Sequence, residues 1–493
     1  MPQRLLLCAR ALCLAVMALC AGGSHAAPAV PAAAAPAPCR LRGIEHEALC
    51  GSVLRALDPA RPDGPQIEVH YAVLPALARN KHPDPLFYFA GGPGQSAIEI
   101  APQVAAMLAR FSNRRDIVLI DQRGIGRSAP LVCDAEDPAL PLAELFSIDR
   151  QRERLALCLA QLKALPYGDL RFFTTTLAMQ DADAVRAALG AHRINLIGGS
   201  YGTRAALEYQ RQFPQRVRRA AIDGAVPPDM ALPAAFSADN QAALDALFAA
   251  CVADVACNAR EPELLERWQT LLASLPRSVE LRHPLTDRNE RLTLTRDVLL
   301  GMVRGPLYAP PLAAALPAAI GEATRGRFGA LAGLAQALGG RRGLRTAAGM
   351  HFSVVCAEDV PLLSQATDRR GADFGDSFLD LYREVCALWP RGEVPAAFYT
   401  MSPAPVATLV LSGGLDPATP PRHGERVAKA LGARARHVVV PNAGHGVMAI
   451  GCMRDVLYRF VDADSDEAAL KVDTSCVTGI PRPPMFALPG AAR

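Results

Sequence analysis

Three residue types that together can activate a hydroxyl group occur in this chain in the order Ser200, Asp416 and His445. A serine needs a base to become a useful nucleophile at neutral pH, and the base needs a carboxylate that fixes its tautomer and stabilises its charge. Glycines surround the serine as Gly198-x-Ser200-x-Gly202. Small neighbours are what a strained turn from strand to helix requires, because they hold the hydroxyl clear of the backbone. The pattern predicts acyl transfer through Ser200, with His445 as base and then acid, and Asp416 orienting it.

The segments that flank these residues suit that chemistry. Residues 194–197 form an apolar run that predicts a buried strand, and the Ala-, Leu- and Glu-rich residues 203–213 predict a helix. Asp416 and His445 each stand in a short Gly-rich loop after a strand-like run. Functional groups collect at one edge of a parallel sheet, so we expect all three side chains there. Asp223 also follows a strand-like run and is the rival acid, for which we favour a structural role at the entry to an insertion.

The negative charge that develops in acyl transfer needs fixed hydrogen-bond donors. The N–H of Tyr201, next after the nucleophile, is the first candidate. The second should come from a loop after an earlier strand, and residues 91–94 (Gly-Gly-Pro-Gly) allow backbone amides to approach a substrate closely. Gly92 is the predicted second donor, and Gly91 is its alternative. A tight turn with no catalytic role is the other interpretation of this loop.

Apolar runs alternate with helical patterns along most of the chain. Runs at residues 67–73, 86–90 and 117–120 predict further strands. Such alternation indicates a mostly parallel sheet with helices on both faces. From about residue 230 Ala- and Leu-rich helical segments dominate, which predicts a helical lid insertion over the sheet. The predicted organisation is a signal peptide (1–26), an Ala/Pro-rich leader (27–38), an N-terminal core part (39–229), the lid (230–398) and a C-terminal core part (399–493).

The N-terminus has the features of an export signal. Arg4 and Arg10 accompany an apolar run that reaches Ala21, and residues 24–26 (Ser-His-Ala) supply the small residues read by a signal peptidase. The run is too short for a comfortable membrane-spanning helix, and no later stretch qualifies, so we expect no stable membrane insertion. Lipid attachment at Cys20 is less favoured than cleavage near residue 26. The expectation is a periplasmic or extracellular protein.

Cysteine usage agrees with export. Of 13 cysteines, three lie in the predicted signal, which leaves an even ten: Cys39, Cys50, Cys133, Cys158, Cys251, Cys257, Cys356, Cys386, Cys452 and Cys476. No pair or Cys/His cluster has zinc-ligand spacing, so disulfides are the better interpretation. Connectivity does not follow from sequence, and pairing between sequence neighbours is a hypothesis based on short loops.

Composition excludes several function classes. With 51% hydrophobic and 20% charged residues the chain can bury a sizeable core, and a net charge of +4 without dense Lys/Arg runs gives no case for nucleic acid. The Gly-rich loops lack the lysine of a phosphate loop and the spacing of a dinucleotide fingerprint. We therefore expect no cofactor and no metal; the sequence does not indicate an oligomeric state.

Several motifs, in this order, resemble those of a known family. They are Ala90-Gly91-Gly92-Pro93-Gly94, Asp121-Gln122-Arg123-Gly124-Ile125-Gly126-Arg127-Ser128, Gly198-Gly199-Ser200-Tyr201-Gly202-Thr203, Cys356-Ala357-Glu358-Asp359, Gly414-Leu415-Asp416-Pro417-Ala418-Thr419-Pro420 and Ala443-Gly444-His445-Gly446. Together they resemble the secreted serine aminopeptidases of the α/β-hydrolase superfamily, in the tripeptidyl aminopeptidase-like branch related to prolyl aminopeptidase. The resemblance runs from about Cys39 to about Val477. Prolyl iminopeptidases usually have His where this chain has Ala90, which weakens the proline-specific assignment.

The resemblance implies an α/β-hydrolase fold and an exported aminopeptidase that releases short N-terminal peptides or amino acids. Its partner is then a peptide with a free N-terminus, and by analogy Glu358 and Asp359 bind the substrate ammonium group. An acidic pair at a solvated helix end is the plainer interpretation. A small-molecule carboxylesterase is the alternative function that the same residues support. A catalytically silent binding module on this fold is the second alternative.

Overall fold

A nine-stranded sheet forms the centre of the structure, a computed structural model that describes residues 35–134, 137–339, 346–368 and 370–486. The strands of this sheet and of a separate hairpin are β1 (Ala37–Cys39), β2 (Ala48–Ala56), β3 (Gln66–Leu74), β4 (Leu86–Phe89), β5 (Ile117–Ile120), β6 (Ile194–Gly199), β7 (Val217–Asp223), β8 (Arg277–Arg282), β9 (Asn289–Leu294), β10 (Thr408–Gly413) and β11 (Ala435–Val440). The order across the large sheet is β1-β2-β3-β5-β4-β6-β7-β10-β11. In this order, every neighbouring pair from β5 to β11 is parallel, whereas the pairs β1–β2, β2–β3 and β3–β5 are antiparallel. The mostly parallel sheet is confirmed.

Helices connect the strands and cover the sheet. They are α1 (Ala101–Met107), α2 (Leu142–Leu145), α3 (Ile148–Lys163), α4 (Thr175–Ala188), α5 (Tyr201–Gln212), α6 (Leu232–Ala253), α7 (Val255–Arg260), α8 (Leu264–Ala273), α9 (Arg296–Leu307), α10 (Pro310–Ala313), α11 (Leu316–Thr324), α12 (Gly329–Gly339), α13 (Ala348–Glu358), α14 (Ser377–Leu388), α15 (Pro421–Leu431), α16 (Met453–Asp462) and α17 (Asp466–Leu470). Parallel neighbours need such crossovers, because a tight hairpin can join only antiparallel strands.

Two hydrophobic clusters pack on the two faces of the sheet. Along β4, Phe87 and Phe89 belong to one cluster and Leu86 to the other. Successive strand side chains point to opposite faces, so both faces of β4 are buried. The first cluster includes Met179 of α4, and the second includes Phe460 of α16. The expectation of helices on both faces is confirmed.

The chain between β7 and β10 forms α6 to α14, of which α13 and α14 pack in the first cluster through side chains such as Met350 and Val385. A third hydrophobic cluster, which includes the fully buried Trp268, lies mainly in this segment. The segment also contains the antiparallel pair β8–β9, which the sequence reading of a mainly helical insertion did not anticipate. β8 has only two apolar residues, Val279 and Leu281, and lacks the continuous apolar run of the central strands.

Five disulfides join sequence neighbours, as hypothesised. They are Cys39–Cys50, Cys133–Cys158, Cys251–Cys257, Cys356–Cys386 and Cys452–Cys476. Their Cα–Cα distances of 5.1–6.5 Å lie within the usual range. Bridges of this kind persist in oxidising compartments, which points to a non-cytosolic protein.

The N-terminal predictions fall largely outside the described residues. The signal peptide (1–26) and residues 27–34 of the leader lie there, whereas β1 begins at Ala37, so the last residues of the predicted leader (27–38) belong to the sheet. Across the described ranges, no helix is both long and apolar enough to cross a membrane.

Candidate active site

Ser200 occupies a strained turn between β6 and α5. Its φ of 55° and ψ of −125° are rare for a residue with a side chain. A Cβ at Gly198 would lie 2.3 Å from the carbonyl oxygen of Gly202, and one at Gly202 would lie 2.0 Å from that of Phe89. The turn therefore needs glycine at both positions, as the motif predicts.

Backbone and hydroxyl hydrogen bonds hold this turn in place. The Ser200 N–H donates to the carbonyl oxygen of Asp223 at 2.8 Å, and its own carbonyl oxygen accepts from the hydroxyl of Thr203 at 2.6 Å. That hydroxyl oxygen also accepts from the N–H of Val226 at 2.8 Å. The nucleophile's turn is thus fixed to the end of β7 and the loop that follows it.

Asp416 and His445 lie together at the carboxyl ends of β10 and β11. Nδ1 of His445 lies 2.8 Å from Oδ2 of Asp416. The carboxylate also accepts from the N–H groups of Ala418 and Thr419 at 2.8 and 2.9 Å, and from the Thr419 hydroxyl at 2.7 Å. Burial alone would raise the pKa of Asp416, but His445 and these donors hold it below its ordinary value.

The carboxylate fixes the tautomer of the imidazole. Because Asp416 accepts at Nδ1, that nitrogen carries the proton and Nε2 of His445 is left to act as a base. Burial would lower the pKa of His445, but the Asp416 charge and hydrogen bond raise it above the ordinary value. The insertion also supports this residue: the carbonyl oxygen of Tyr308 accepts from the His445 N–H at 3.1 Å, and the two rings meet edge to face at 5.3 Å.

Asp223, the rival acid, is buried at the same edge and bonds the histidine loop instead of the imidazole ring. Its Oδ2 accepts from the N–H groups of Val447 and Met448 at 2.6 and 2.7 Å. Burial raises its pKa to about 6. These contacts support a structural role, as we favoured, but the segment that Asp223 braces is the histidine loop. A Cβ at the next residue, Gly224, would lie 3.2 Å from Cε1 of His445, so the end of β7 approaches the imidazole closely.

The loop after β4 lies against the nucleophile. A Cβ at Gly91 would lie 3.2 Å from that of Ser200, whereas the nearest neighbours of a Cβ at Gly92 are backbone atoms of Gly94 and Gln95. The N–H of Gly91, the alternative donor, donates to Oε1 of Gln95 at 3.3 Å, so this proximity does not choose between the two glycines. Gly92 and the N–H of Tyr201 remain predictions for the oxyanion.

Two segments of the insertion secure the Gly91–Gly94 loop. The N–H of Ala347 donates to the carbonyl oxygen of Gly94 at 2.8 Å. Nδ1 of His351 in α13 lies 3.3 Å from the carbonyl oxygen of Pro93, which can only accept, and its Nε2 lies 2.6 Å from the hydroxyl of Tyr382 in α14. Nδ1 therefore carries a proton and donates, and because burial lowers the pKa of His351 to about 4 the ring is neutral near pH 7. Sequence reasoning missed His351, because no motif marks it.

Glu358 and Asp359 are wholly buried and bonded to the protein. Both oxygens of Asp359 lie 2.9 Å from the guanidinium of Arg204, and Oδ1 also accepts from the N–H of Leu232 at 3.0 Å. Glu358 accepts from the N–H and hydroxyl of Thr175 at 2.7 and 2.9 Å. Both acids are 0% exposed, and burial raises the pKa of Glu358 to about 7. The interpretation as a solvated helix end is wrong.

This arrangement does not present the pair to a substrate. Arg204 lies on α5, one turn after Ser200, so the ion pair joins the nucleophile's helix to the end of α13. A substrate ammonium group would have to displace these donors to reach either carboxylate. The ammonium-binding role of Glu358 and Asp359 stays a prediction, and Arg204 is the partner that sequence reasoning missed.

The loop that begins at Asp121 braces neighbouring segments through buried hydrogen bonds. Arg123 makes a bidentate pair with Asp181 at 2.7 and 2.9 Å and also donates to the carbonyl oxygens of Leu57 and Phe172. It is 1% exposed and does not face solvent. Among the residues with described positions, no group of three or more His, Cys, Asp or Glu is placed to hold a metal ion.

A strained serine at a strand-to-helix turn, with an acid and histidine at the ends of later parallel strands, defines the class of this protein. Residues 84–450 match the alpha/beta hydrolase fold family, and the chain belongs to that family. The predicted fold is confirmed.

Three similar proteins carry the names of serine peptidases or of an esterase. The chain is 28% identical over 429 residues to "Serine protease Hip1" of Mycobacterium tuberculosis, covering 80% of this chain and 82% of that one. It is 29% identical to "Carboxylesterase B" of the same species, over 78% of each chain. It is 33% identical to "Tripeptidyl aminopeptidase" of Streptomyces coelicolor, over 36% of this chain and 35% of that one. The resemblance to α/β-hydrolase serine peptidases is confirmed.

Proposed function

We propose that this protein is an exported serine aminopeptidase that releases short peptides or amino acids from the free N-terminus of a peptide. The observation that carries the proposal is the 2.8 Å contact between Asp416 and His445, at the sheet edge where β6 ends in the strained turn of Ser200. An acid, a base and a nucleophile in this relation perform acyl transfer.

The proposed reaction has two acyl-transfer steps. Nε2 of His445 takes the proton from the Ser200 hydroxyl as Oγ attacks the scissile carbonyl, and the N–H groups of Tyr201 and of Gly92 or Gly91 stabilise the oxyanion. His445 then protonates the leaving amine, which leaves an acyl-serine. The same imidazole then deprotonates a water that attacks the acyl carbon, and it returns the proton to Oγ of Ser200 as the N-terminal product leaves, while Asp416 stabilises the imidazolium in both steps.

The relatives support a peptide as substrate. The protein named "Serine protease Hip1" matches most of this chain, and the one named "Tripeptidyl aminopeptidase" matches a shorter part of it. Export is supported by the five disulfides, since such bridges are rare in a reducing cytosol.

Recognition of the free amine by Glu358 and Asp359 is the part of the proposal that their burial disfavours. If Glu358 binds the ammonium group, Glu358→Gln raises KM for free-amine peptides far more than for N-blocked esters. Equal changes for both substrate types would remove this part of the proposal and leave the acyl-transfer chemistry of Ser200 unaffected.

A carboxylesterase acting on small esters is the second candidate. Two observations favour it: the likeness to the protein named "Carboxylesterase B", and the complete burial of Glu358 and Asp359. An ester without an amine needs no acidic partner, so a site without an exposed acidic pair suits it.

Reporter hydrolysis separates these functions. Purified protein is assayed on mono-, di- and tripeptidyl arylamides, each with a free or blocked N-terminus, and on short acyl esters, with Ser200→Ala as the control. The proposal expects the highest kcat/KM on free-amine arylamides and no turnover by the control. Turnover of esters alone would establish the second candidate. No turnover, together with no labelling of Ser200 by an organophosphonate, would point to a binding module.

A further inference from the structure

A cavity lies between the insertion and α3, which precedes β6 in the chain. It has a volume of about 1030 Å³ and is enclosed by parts of α3, α6, α9 and α14. Its walls include Phe236, Asn240, Arg304 and Phe378, and we call it the insertion pocket. Neither the nucleophile nor the Asp416–His445 pair lines it, and the chemistry described above does not use it.

Arg304 brings a positive charge to this pocket. Its guanidinium lies 4.6 Å from the ring centre of Phe378 and 5.7 Å from that of Phe236. Of the three arginines that line the pocket, Arg152 pairs with Glu384 and Arg383 with Asp380. Within the described part of the chain no carboxylate pairs with Arg304. Two aromatic faces hold the cation while its N–H donors remain available.

Asn240 adds a buried acceptor. The residue is 1% exposed, and its Nδ2 donates to the carbonyl oxygen of Phe236 at 2.8 Å. Its Oδ1 is buried without a partner among the described residues. A buried acceptor without a donor costs about 1–3 kcal/mol, so a ligand N–H that reaches it would recover that free energy. Phe236 lies one helical turn from Asn240 and beneath the guanidinium, which links the acceptor and the cation.

The insertion pocket adjoins the catalytic edge along two helices. Tyr308, which contacts His445, follows Arg304 by one turn of α9. Tyr382, which hydrogen bonds to His351 beside the Gly91–Gly94 loop, follows Phe378 by one turn of α14. One turn is about 5.4 Å, so the cation lies within a few residue lengths of the catalytic loops.

We propose that the insertion pocket binds a carboxylate-bearing part of the substrate. The guanidinium of Arg304 pairs with the carboxylate, and Oδ1 of Asn240 accepts an N–H from the same peptide. A planar guanidinium matches the two oxygens of a carboxylate, and the surrounding rings limit the water that competes for it. The inference rests on the proposed function, because peptides supply this group as an acidic side chain or as a C-terminus.

The test compares matched charged and neutral substrates. Peptidyl arylamides with Glu are paired with the same peptides carrying Gln, and short peptides with a free C-terminus are paired with their amides. We expect wild type to prefer the charged member of one pair, and that pair identifies the source of the carboxylate. Arg304→Gln should lower kcat/KM on the charged member by about tenfold, the typical weight of a charge-assisted hydrogen bond, with little change on the neutral member. Arg304→Lys should restore part of the loss.

Arg383→Gln is the matched control. It removes the same charge from the same pocket, but from a guanidinium already paired with Asp380, so the substrate preference should persist. Equal losses for charged and neutral substrates in Arg304→Gln, or no preference in wild type, would overturn the inference and leave peptide cleavage established.

Ester substrates separate a failure of the peptidase proposal from a failure of the pocket proposal. If only esters are hydrolysed, the peptidase proposal fails, and the same comparison is made with an acyl ester ending in a carboxylate and its terminal amide. A preference that depends on Arg304 then supports the pocket. If nothing is hydrolysed, calorimetry with the Glu and Gln tripeptides gives the readout: tighter binding of the Glu peptide that is lost in Arg304→Gln supports the inference, and equal binding contradicts it.

Discussion

The guanidinium of Arg204 meets both carboxylate oxygens of Asp359 at 2.9 Å, with side chains 1% and 0% exposed. The pair joins the helix that begins after Ser200 to the last turn of the insertion's α13. Removing one partner of such a pair leaves an uncompensated buried charge, which is far more costly than losing an exposed pair.

Asp359→Asn is therefore expected to lower the free energy of unfolding by about 3–5 kcal/mol. The exposed pair Arg383–Asp380 gives the control, and Asp380→Asn should change stability by less than about 1 kcal/mol. Both values come from denaturant unfolding with the disulfides intact. A small loss in Asp359→Asn, combined with a raised KM for free-amine substrates, would instead support ammonium binding.

Glu358→Gln tests the pH dependence of folding. Burial raises the pKa of Glu358 to about 7, so the folded protein retains a proton that the unfolded chain releases. Stability from this group is present below the unfolded pKa and is lost as pH rises toward the folded value, between about pH 4.5 and 7. The variant should flatten that decline. Denaturation midpoints at several pH values measure it, and parallel curves for wild type and variant would contradict the assignment.

Asp416→Asn should lower kcat about 10⁴-fold, because the amide favours the wrong tautomer of His445. In wild type the Asp416 carboxylate raises the pKa of the imidazole, and only the neutral form is a base. The ordinary pKa of histidine is about 6.5, so the acidic limb of the wild-type kcat/KM profile should lie above that pH. In the variant this limb should move to lower pH.

Asp223→Asn is the comparison for that result. Asp223 braces the backbone of Val447 and Met448, so its loss should cost less than the loss of Asp416. A larger drop in Asp223→Asn than in Asp416→Asn would identify Asp223 as the catalytic acid.

His351→Phe tests the support of the Gly91–Gly94 loop. The neutral imidazole donates to the carbonyl oxygen of Pro93, and without it the backbone donors nearby lose their fixed position. We expect kcat to fall by about tenfold or more with KM nearly unchanged, since preorganised donors act on the transition state. His351→Asn keeps an N–H donor and should recover part of the rate. A fall in stability alone, with kcat intact, would restrict His351 to a packing role.

The central sheet and the catalytic edge could be predicted from local patterns. Uninterrupted apolar runs such as Ile117–Ile120 marked buried strands, and glycine spacing marked the turn at Ser200. The hairpin β8–β9 was missed because each of its strands carries only two apolar residues in alternation and lacks the continuous run that marked the buried strands.

Contacts between residues far apart in sequence were also not predicted. Arg204 and Asp359 lie 155 residues apart in sequence, and no spacing rule connects them. The sequence of two adjacent acidic residues is the same whether they lie at a solvated helix end or in a buried ion pair. The family resemblance therefore gave Glu358 and Asp359 a role that their burial does not favour. The same limit concealed His351, which reaches Pro93 only through the packing of α13.

The disulfide Cys356–Cys386 joins α13 to α14, the two helices that carry His351 and Tyr382. Each cysteine lies about one helical turn from the residue of that hydrogen-bonded pair on its own helix. The bridge therefore links covalently the two helices whose hydrogen-bonded side chains support the Gly91–Gly94 loop. A chain folded without this bond lacks the covalent link between the two helices whose side chains support the loop.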